Sequence, residues 1–559
     1  MITIPSQKAG AKQTAIANVL PPPTYGMDTR HPLAQMPPNS CVYAYNIVPN
    51  PYGMEVRKGF REFAVDIPIG AEAGENGVKT LIHFVGTVEG TITDDRLFAV
   101  SNVGIFDITD DSIAPVLKYA FNITTGKAGN GVSCHYIDQG GSEFMLYADE
   151  ENGLIIYTEA TDTWLPASGI TGGLIPDRIV YVVVHKLRIW FVERNTGDAW
   201  YMPVSSLQGD ATKFTFGSKF AHGGYLRGLY TWTFDGGSGV DDYLVAISSG
   251  GDVLPYKGED PSSAETWSLV GSYYVGGVPI GRRIASESGG MLFVLSSYGL
   301  ISMNDLLTGV DTRDISATGV ASRIAPIIRA HMKETEGLYG WELIFAPTEG
   351  LYVVNSPPRP NKLQLQYVMD STTKGWAIWR GIPMMCMVEA NRKMYFGYKD
   401  TVYALEGHRD NVRKEITQPG DRGTAIEFSL LTSYSDMGAP ALTKLVQFIR
   451  PNFLHMLSLP VSVKAVYDYQ LIELTFPTPT LSAAEIQADC LWDVGLWDQC
   501  IWDGGSSAPP PFTPGSGRPT MITGASNMGR MVAIAIKGST IEGVKLLSID
   551  VIWKTGGAL

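Results

Sequence analysis

The feature that most constrains this chain is a recurrence. Between Arg96 and Leu405 one local pattern keeps returning: an apolar strand, a short turn of Gly, Asn, Asp or Ser, and a second apolar strand. The copies read RLFAVSNVGIFDI from Arg96, EFMLYADEENGLIIY from Glu143, KLRIWFVERNTGDAWYM from Lys186, YLVAISSGGDVLPY from Tyr243, MLFVLSSYGLISM from Met291, WELIFAPTEGLYVV from Trp341 and KMYFGYKDTVYAL from Lys393. Extra strands fill the gaps, at Val78 to Val85, Ile179 to Val184 and Leu363 to Met369. A repeat of roughly fifty residues built from short strands matches the length of a four-stranded propeller blade. The sequence therefore predicts a mainly β chain whose middle is a six- or seven-bladed β-propeller.

The repeat sets the expected division of the chain. Residues 1–65 read as an N-terminal arm and hairpin, 66–420 as the propeller, and 421–559 as a β-sandwich-like domain with loop insertions. In the arm, Pro21, Pro22, Pro23, Pro37 and Pro38 enforce extended backbone. Val42 to Val48 and Met54 to Phe63 then read as two strands joined by a turn at Pro49, Asn50, Pro51, Tyr52 and Gly53. An exposed sheet edge is costly, so this opening segment is placed to complete the last repeat near Lys393. Ser316 to Glu336 has helical spacing at Val320, Ile324, Ile327, Ile328 and Met332, with Pro326 expected to kink it or mark its first turn. Trp164, Trp267 and Trp376 each follow an acidic or Thr-rich turn and are expected to fill wedges between sheets.

Beyond the charged, turn-rich stretch Glu406 to Gly423, strands are expected at Ala425 to Tyr434, Leu445 to Phe453, Val461 to Tyr469, Met531 to Lys537 and Gly543 to Lys554. Among them lies LWDVGLWDQCIWDGG, in a loop at 490–514. Trp492, Trp497 and Trp502 lie five apart, a spacing that no regular element presents on one face. A Trp-stapled surface loop at a subunit contact is the better reading, since Trp is enriched in interface anchors. Asp493, Asp498 and Asp503 are too far apart for a hard-cation loop. Arg57, Lys58 and Arg61 on the opening hairpin are a second possible interface, toward an acidic partner, although a solvated strand edge explains them equally well.

Composition narrows the function. A net charge of −13 argues against tight, sequence-independent binding to phosphate backbones. Cys41, Cys134, Cys386, Cys490 and Cys500 are odd in number and scattered, so neither a disulfide framework nor a structural zinc site is expected, and assembly in a reducing cytoplasm is the simpler expectation. No early apolar signal and no apolar run near membrane length appears, so no membrane span is expected. The eight histidines form no helix-borne metal pair, and neither a phosphate loop nor a nucleophile elbow is present. Catalytic, cofactor-binding and metal-binding residues are therefore all expected to be none.

The opening stretch carries a resemblance. YGMDTR from Tyr25, LAQMPP from Leu33 and NIVPNPYGMEVRKGF from Asn46 are similar, in that order, to the N-terminal signature of tail nozzle proteins of short-tailed bacteriophages, also called tail tubular protein B, with tail stabilisation proteins as near neighbours. The Trp-Asp triplet around Trp497 and the run VIWKTGGAL from Val551 also resemble that group. The resemblance implies a structural virion protein in the tail, assembled in the host cytoplasm. It implies a homohexameric ring below the head-to-tail adaptor ring, bearing tail fibres or spikes, through which double-stranded DNA passes without sequence-specific binding. Six acidic copies are consistent with a lumen along which a polyanion slides. The alternative from the repeat and the aromatic content is a glycan-binding or glycan-hydrolysing β-propeller that recognises a receptor.

Overall fold

The structure is a computed structural model that describes residues 15–70, 77–86, 95–235, 240–308, 319–359, 362–455, 459–470, 520–521 and 528–558. The chain divides into two compact units, one of Met1–Arg57 with Ala425–Leu559 and the other of Lys58–Thr424. The opening arm and the C-terminal segment thus belong to one unit.

In the Lys58–Thr424 unit the repeat is a succession of antiparallel meanders. The first sheet is Thr80–Phe84, Arg96–Val100, Gly104–Asp107 and Val116–Ala120; the second is Gly131–Ile137, Glu143–Asp149, Gly153–Thr158 and Thr163–Pro166. The third is Ile179–His185, Arg188–Glu193, Asp198–Tyr201 and Thr212–Thr215, and the fourth is Leu226–Asp235, Val240–Ser248, Asp252–Gly258 and Trp267–Leu269, with Tyr273–Tyr274 on its side. Ala285–Ser288, Met291–Ser296 and Gly299–Ser302 form the fifth, and Glu342–Ala346, Leu351–Asn355, Leu365–Asp370 and Trp376–Arg380 form the sixth meander. In the seventh, Cys386–Ala390, Lys393–Tyr398 and Thr401–Leu405 are joined by Arg61–Ala64 from the start of the unit, with Ala64 opposite Val402 and Arg61 opposite Ala404.

The expectation of a six- or seven-bladed β-propeller is corrected by this pairing. No sheet among the described residues closes on itself, and the chain is a mainly β protein of several open sheets. The physical reason lies in what a period measures. Four short strands with their turns occupy about fifty residues wherever they occur, so the spacing counts strands and carries no information on closure.

Large rings cement adjacent sheets. Trp164 of the second sheet lies edge-on to Phe98 of the first at 5.2 Å, and Trp267 of the fourth stacks on Trp190 of the third at 5.7 Å. Trp376 is fully buried and its Nε1 donates to the Val320 carbonyl at 3.2 Å, which anchors the approach to the helix Ala325–Glu334. Pro326 marks that helix's first turn, where its missing N–H costs nothing. The expected helical stretch is thereby shortened at its N-terminal side, and a five-residue helix, Met303–Leu307, precedes it, capped by Ser302.

The other unit has two open antiparallel sheets. One orders Ile47–Asn50, Gly53–Val56, Lys545–Ala558, Leu442–Leu454 and Thr520–Met521, with Ile16–Leu20 also paired to Lys545–Ala558. The other orders Cys41–Tyr45, Thr424–Thr432, Val532–Thr540 and Val461–Tyr467. Phe428 and Phe453 meet across the two sheets at 6.1 Å, and Tyr467 Oη accepts from the Val446 amide at 3.3 Å. The expected opening hairpin is tighter than its sequence reading. Gly53 at φ +151 lets the chain reverse where an added Cβ would sit 2.4 Å from the Leu546 carbonyl oxygen.

Candidate functional site

The Lys58–Thr424 unit carries a set of charged side chains in its interior, and each arrives there for a local reason. Arg227 sits at the start of the fourth sheet, where the register slips between Leu226 and Gly228, so it is the extra residue of a β-bulge and is turned out of the ladder. Arg282 and Arg283 lie just before the strand Ala285–Ser288, after Gly281 at φ +135. Glu150 occupies the turn between Glu143–Asp149 and Gly153–Thr158, and Glu342 opens the strand Glu342–Ala346.

These groups knit the sheets together. The Arg282 guanidinium pairs with Glu150 and donates from Nη1 to the Arg227 carbonyl at 2.7 Å, while its own carbonyl accepts from Tyr230 Oη at 2.6 Å. Arg283 pairs with Glu342 at 3.1 Å and donates from Nη2 to the Lys79 carbonyl at 2.9 Å. Glu342 in turn accepts from the Met387 amide at 3.2 Å. Residues of the first, second, fourth, sixth and seventh sheets are thus held through two adjacent arginines. Burial raises the Glu342 carboxyl, with the Arg283 charge acting against it. Burial likewise pushes the Cys386 thiol up to about 12, which makes it a poor nucleophile.

The arrangement fastens strands to one another through charged hydrogen bonds. The carboxylate–histidine pair nearest to acid–base chemistry is His222 and Asp252, 2.7 Å apart, with the ring stacked on Tyr274 at 3.9 Å. Ser248 Oγ donates to Asp252, not to the imidazole, and the His222 amide also bonds to Asp252, so the group fastens a loop. No group of three or more His, Cys, Asp or Glu residues able to hold a metal occurs among the described residues. No helix among them is long and apolar enough to cross a membrane.

The residues singled out in the sequence fall in different places. Trp492, Trp497 and Trp502 lie outside the described residues. Arg57 is buried and its Nε donates to Asn46 Oδ1 at 3.0 Å. Lys58 is half-exposed and pairs with Glu349 at 2.5 Å. Arg61 pairs with Glu406 at 2.6 Å, and Glu406 also binds Lys393 at 2.8 Å. All three cations therefore have partners within their own chain. Sequence reasoning missed the interior arginines because GRR at 281–283 looks like any solvated loop, and only the pairing of distant strands turns it inward.

The segment that carries the tail-protein resemblance is locked in place. Asp28 is buried and accepts from the amides of Arg30 and His31, at 3.0 and 3.1 Å, while the His31 ring binds its other oxygen at 2.7 Å. Asn46, at φ 58, joins the Arg57 side chain to the Glu427 carbonyl, which it reaches at 2.8 Å.

Comparison with known proteins adds no family. No family model matches the chain, and no curated protein matches it. Three solved structures align weakly. A computationally designed protein aligns with TM-score 0.32 and 9% identity over 62% of this chain and 99% of its own. U3-55K aligns with TM-score 0.34 and 10% identity over 61% and 98%, and the extracellular domain of a hybrid two component system from B. thetaiotaomicron with 0.38 and 11% over 75% and 56%. At such scores these likenesses carry no argument about this chain.

Proposed function

We propose that the chain is a structural subunit of a short bacteriophage tail, a nozzle that assembles as a hexameric ring and forms the distal conduit for DNA ejection. The observation that carries this reading is the ordered series YGMDTR, LAQMPP and NIVPNPYGMEVRKGF between Tyr25 and Phe60. Its support from the fold is physical. Asp28, Asn46, Gly53 and Arg57 in that series each have a packing or hydrogen-bonding task, as expected where a signature preserves a shape and not a reaction. Acidic subunits also suit a passage for a polyanion, because a wall poor in cations releases phosphates readily.

The test is direct. Purified protein imaged by negative stain should form closed rings of one size, and virions labelled at this chain should carry the label at the tail tip. Monomers at micromolar concentration together with unlabelled tails would overturn the proposal.

A further inference from the structure

Leu187 stands at the tip of the hairpin between Ile179–His185 and Arg188–Glu193. Lys186 at φ 47 and Leu187 at φ 60 have the φ signs of a type I′ turn, which favours Asn and Gly and disfavours a bulky side chain. Met437 and Tyr469 also carry large apolar groups at positive φ, but Met437 is buried and Tyr469 packs on Tyr434 at 5.0 Å. Leu187 has no such compensation, being 65% exposed. The Ser205 amide, donating to the Leu187 carbonyl at 2.7 Å, brings Val204 alongside at 45% exposure. Arg188 is held by Asp260 at 3.6 Å, which leaves Lys186 without an ion-pair partner among the described residues. A strained turn that displays two apolar side chains beside an unpaired cation has the make-up of a contact surface.

The opposite end of the same strand offers a counterpart. Ile175 and Asp177 lie just before Ile179–His185, and that extended strand keeps them roughly 25 Å from the Leu187 tip. A Cβ added to Gly153 would sit 2.4 Å from the Asp177 Cα, so this end abuts the turn that holds Glu151 and Asn152. Asn152 in turn fixes Ile123, its Nδ2 donating to the Ile123 carbonyl and its Oδ1 accepting from the Ile123 amide, both at 2.9 Å. Ile123 and Ile175 are 42% and 53% exposed. Arg178 faces Glu193 at 3.2 Å and Arg194 reaches the Asp177 carbonyl, so the Glu151 and Asp177 carboxylates have no ion-pair partner among the described residues.

We propose that these two ends meet between copies of this chain, with Leu187 and Val204 of one copy on Ile123 and Ile175 of the next and Lys186 toward Glu151 and Asp177. Charge and geometry both select a second copy as the occupant. The unpaired charges are opposite in sign, and the strand that separates them prevents one chain from satisfying itself, so the contact is head-to-tail. Head-to-tail contacts close into a ring or run on into a filament. The inference deepens the nozzle reading, on which closure into a ring rests.

The experiment is sedimentation velocity of the full chain across the micromolar range, with Tm recorded for every variant. Leu187→Gly relieves the turn while removing the anchor, so Tm should hold or rise while self-association weakens about tenfold or more. A merely structural Leu187 would not separate the two readings in that direction. Lys186→Glu and Asp177→Lys should each weaken association, and the double variant Lys186→Glu/Asp177→Lys should recover it. Association unchanged in Leu187→Gly, a double variant no better than either single one, or a wild type that stays monomeric would overturn the contact. Rings that persist unchanged in these variants refute the contact and leave the nozzle reading standing, whereas unlabelled tails refute the nozzle reading and leave a variant-sensitive association intact.

Discussion

Glu62 stands directly opposite Tyr403 in an antiparallel ladder, so the start of the Lys58–Thr424 unit is hydrogen-bonded to its last repeat. The neighbouring Phe60 is fully buried and lies edge-on to Phe396 and Tyr403 at 5.4 and 5.5 Å. Phe60→Ala should cost about 3 to 5 kcal/mol of unfolding free energy by leaving a cavity at this junction. Urea denaturation followed by tryptophan fluorescence measures it, and a loss below 1 kcal/mol would show that the junction does not hold the unit.

Asn46 bridges two places at once, accepting a hydrogen bond from Arg57 Nε and donating to the Glu427 carbonyl. Asn46→Ala removes both bonds and puts alanine at a φ of 58. The expected destabilisation is about 2 to 4 kcal/mol. Asn46→Asp should recover part of it, since a carboxylate still accepts from Arg57; a melting series of the three proteins ranks them.

Lys444 has no exposed surface, and its Nζ donates to the carbonyls of Ala439, Leu442 and Arg530 at 2.7, 2.9 and 2.7 Å. Burial lowers its pKa. Lys444→Met keeps the volume and removes the Nζ donor from three carbonyls, of which Ala439 retains the Leu442 amide. A loss of about 2 to 4 kcal/mol is expected, read by hydrogen exchange as earlier opening of the strand Leu442–Leu454.

Acid should loosen the Lys58–Thr424 unit in a defined window. Burial pushes both His185 and His331 down to about 4; Lys186 adds to the effect at His185 against Asp242, and Arg359 and Lys362 add to it at His331 against Glu334. An unfolded histidine titrates near 6.5, so the unfolded chain binds more protons between these values. The contribution is therefore whole above pH 6.5 and is lost progressively as pH falls toward 4. After discounting for partial screening it is on the order of 2 kcal/mol for each ring. His331→Gln should flatten the slope of Tm against pH between these limits, on top of a pH-independent loss from the buried contact of its ring with Tyr367 Oη at 2.8 Å.

Strands with apolar, β-branched and aromatic runs were readable because their side chains decide their own conformation. Met291–Ser296 and Gly299–Ser302, for instance, fall inside the run MLFVLSSYGLISM. Pro326 likewise announces a helix start by its own chemistry. Closure was not readable, since it depends on how successive sheets meet and not on any one of them. The inward aim of Arg227 was hidden for a related reason: a bulge is a mismatch between two strands, Leu226–Asp235 and Val240–Ser248, and neither sequence alone encodes it. Arg57 shows the converse, a cation in a polar-looking run that is a buried hydrogen-bond donor, which its own stretch of sequence does not announce.

The strand Lys545–Ala558 pairs with Ile16–Leu20, Gly53–Val56 and Leu442–Leu454. On the ribosome, the first two of these segments emerge long before their partner does, and the whole of Lys58–Thr424 is made in between. The central unit can therefore finish folding while the opening segment still waits, and the two-ended unit is the last to form. A polypeptide cut short between Thr424 and Lys545 would keep its repeats but leave Ile16–Leu20 and Gly53–Val56 without the strand that shelters them.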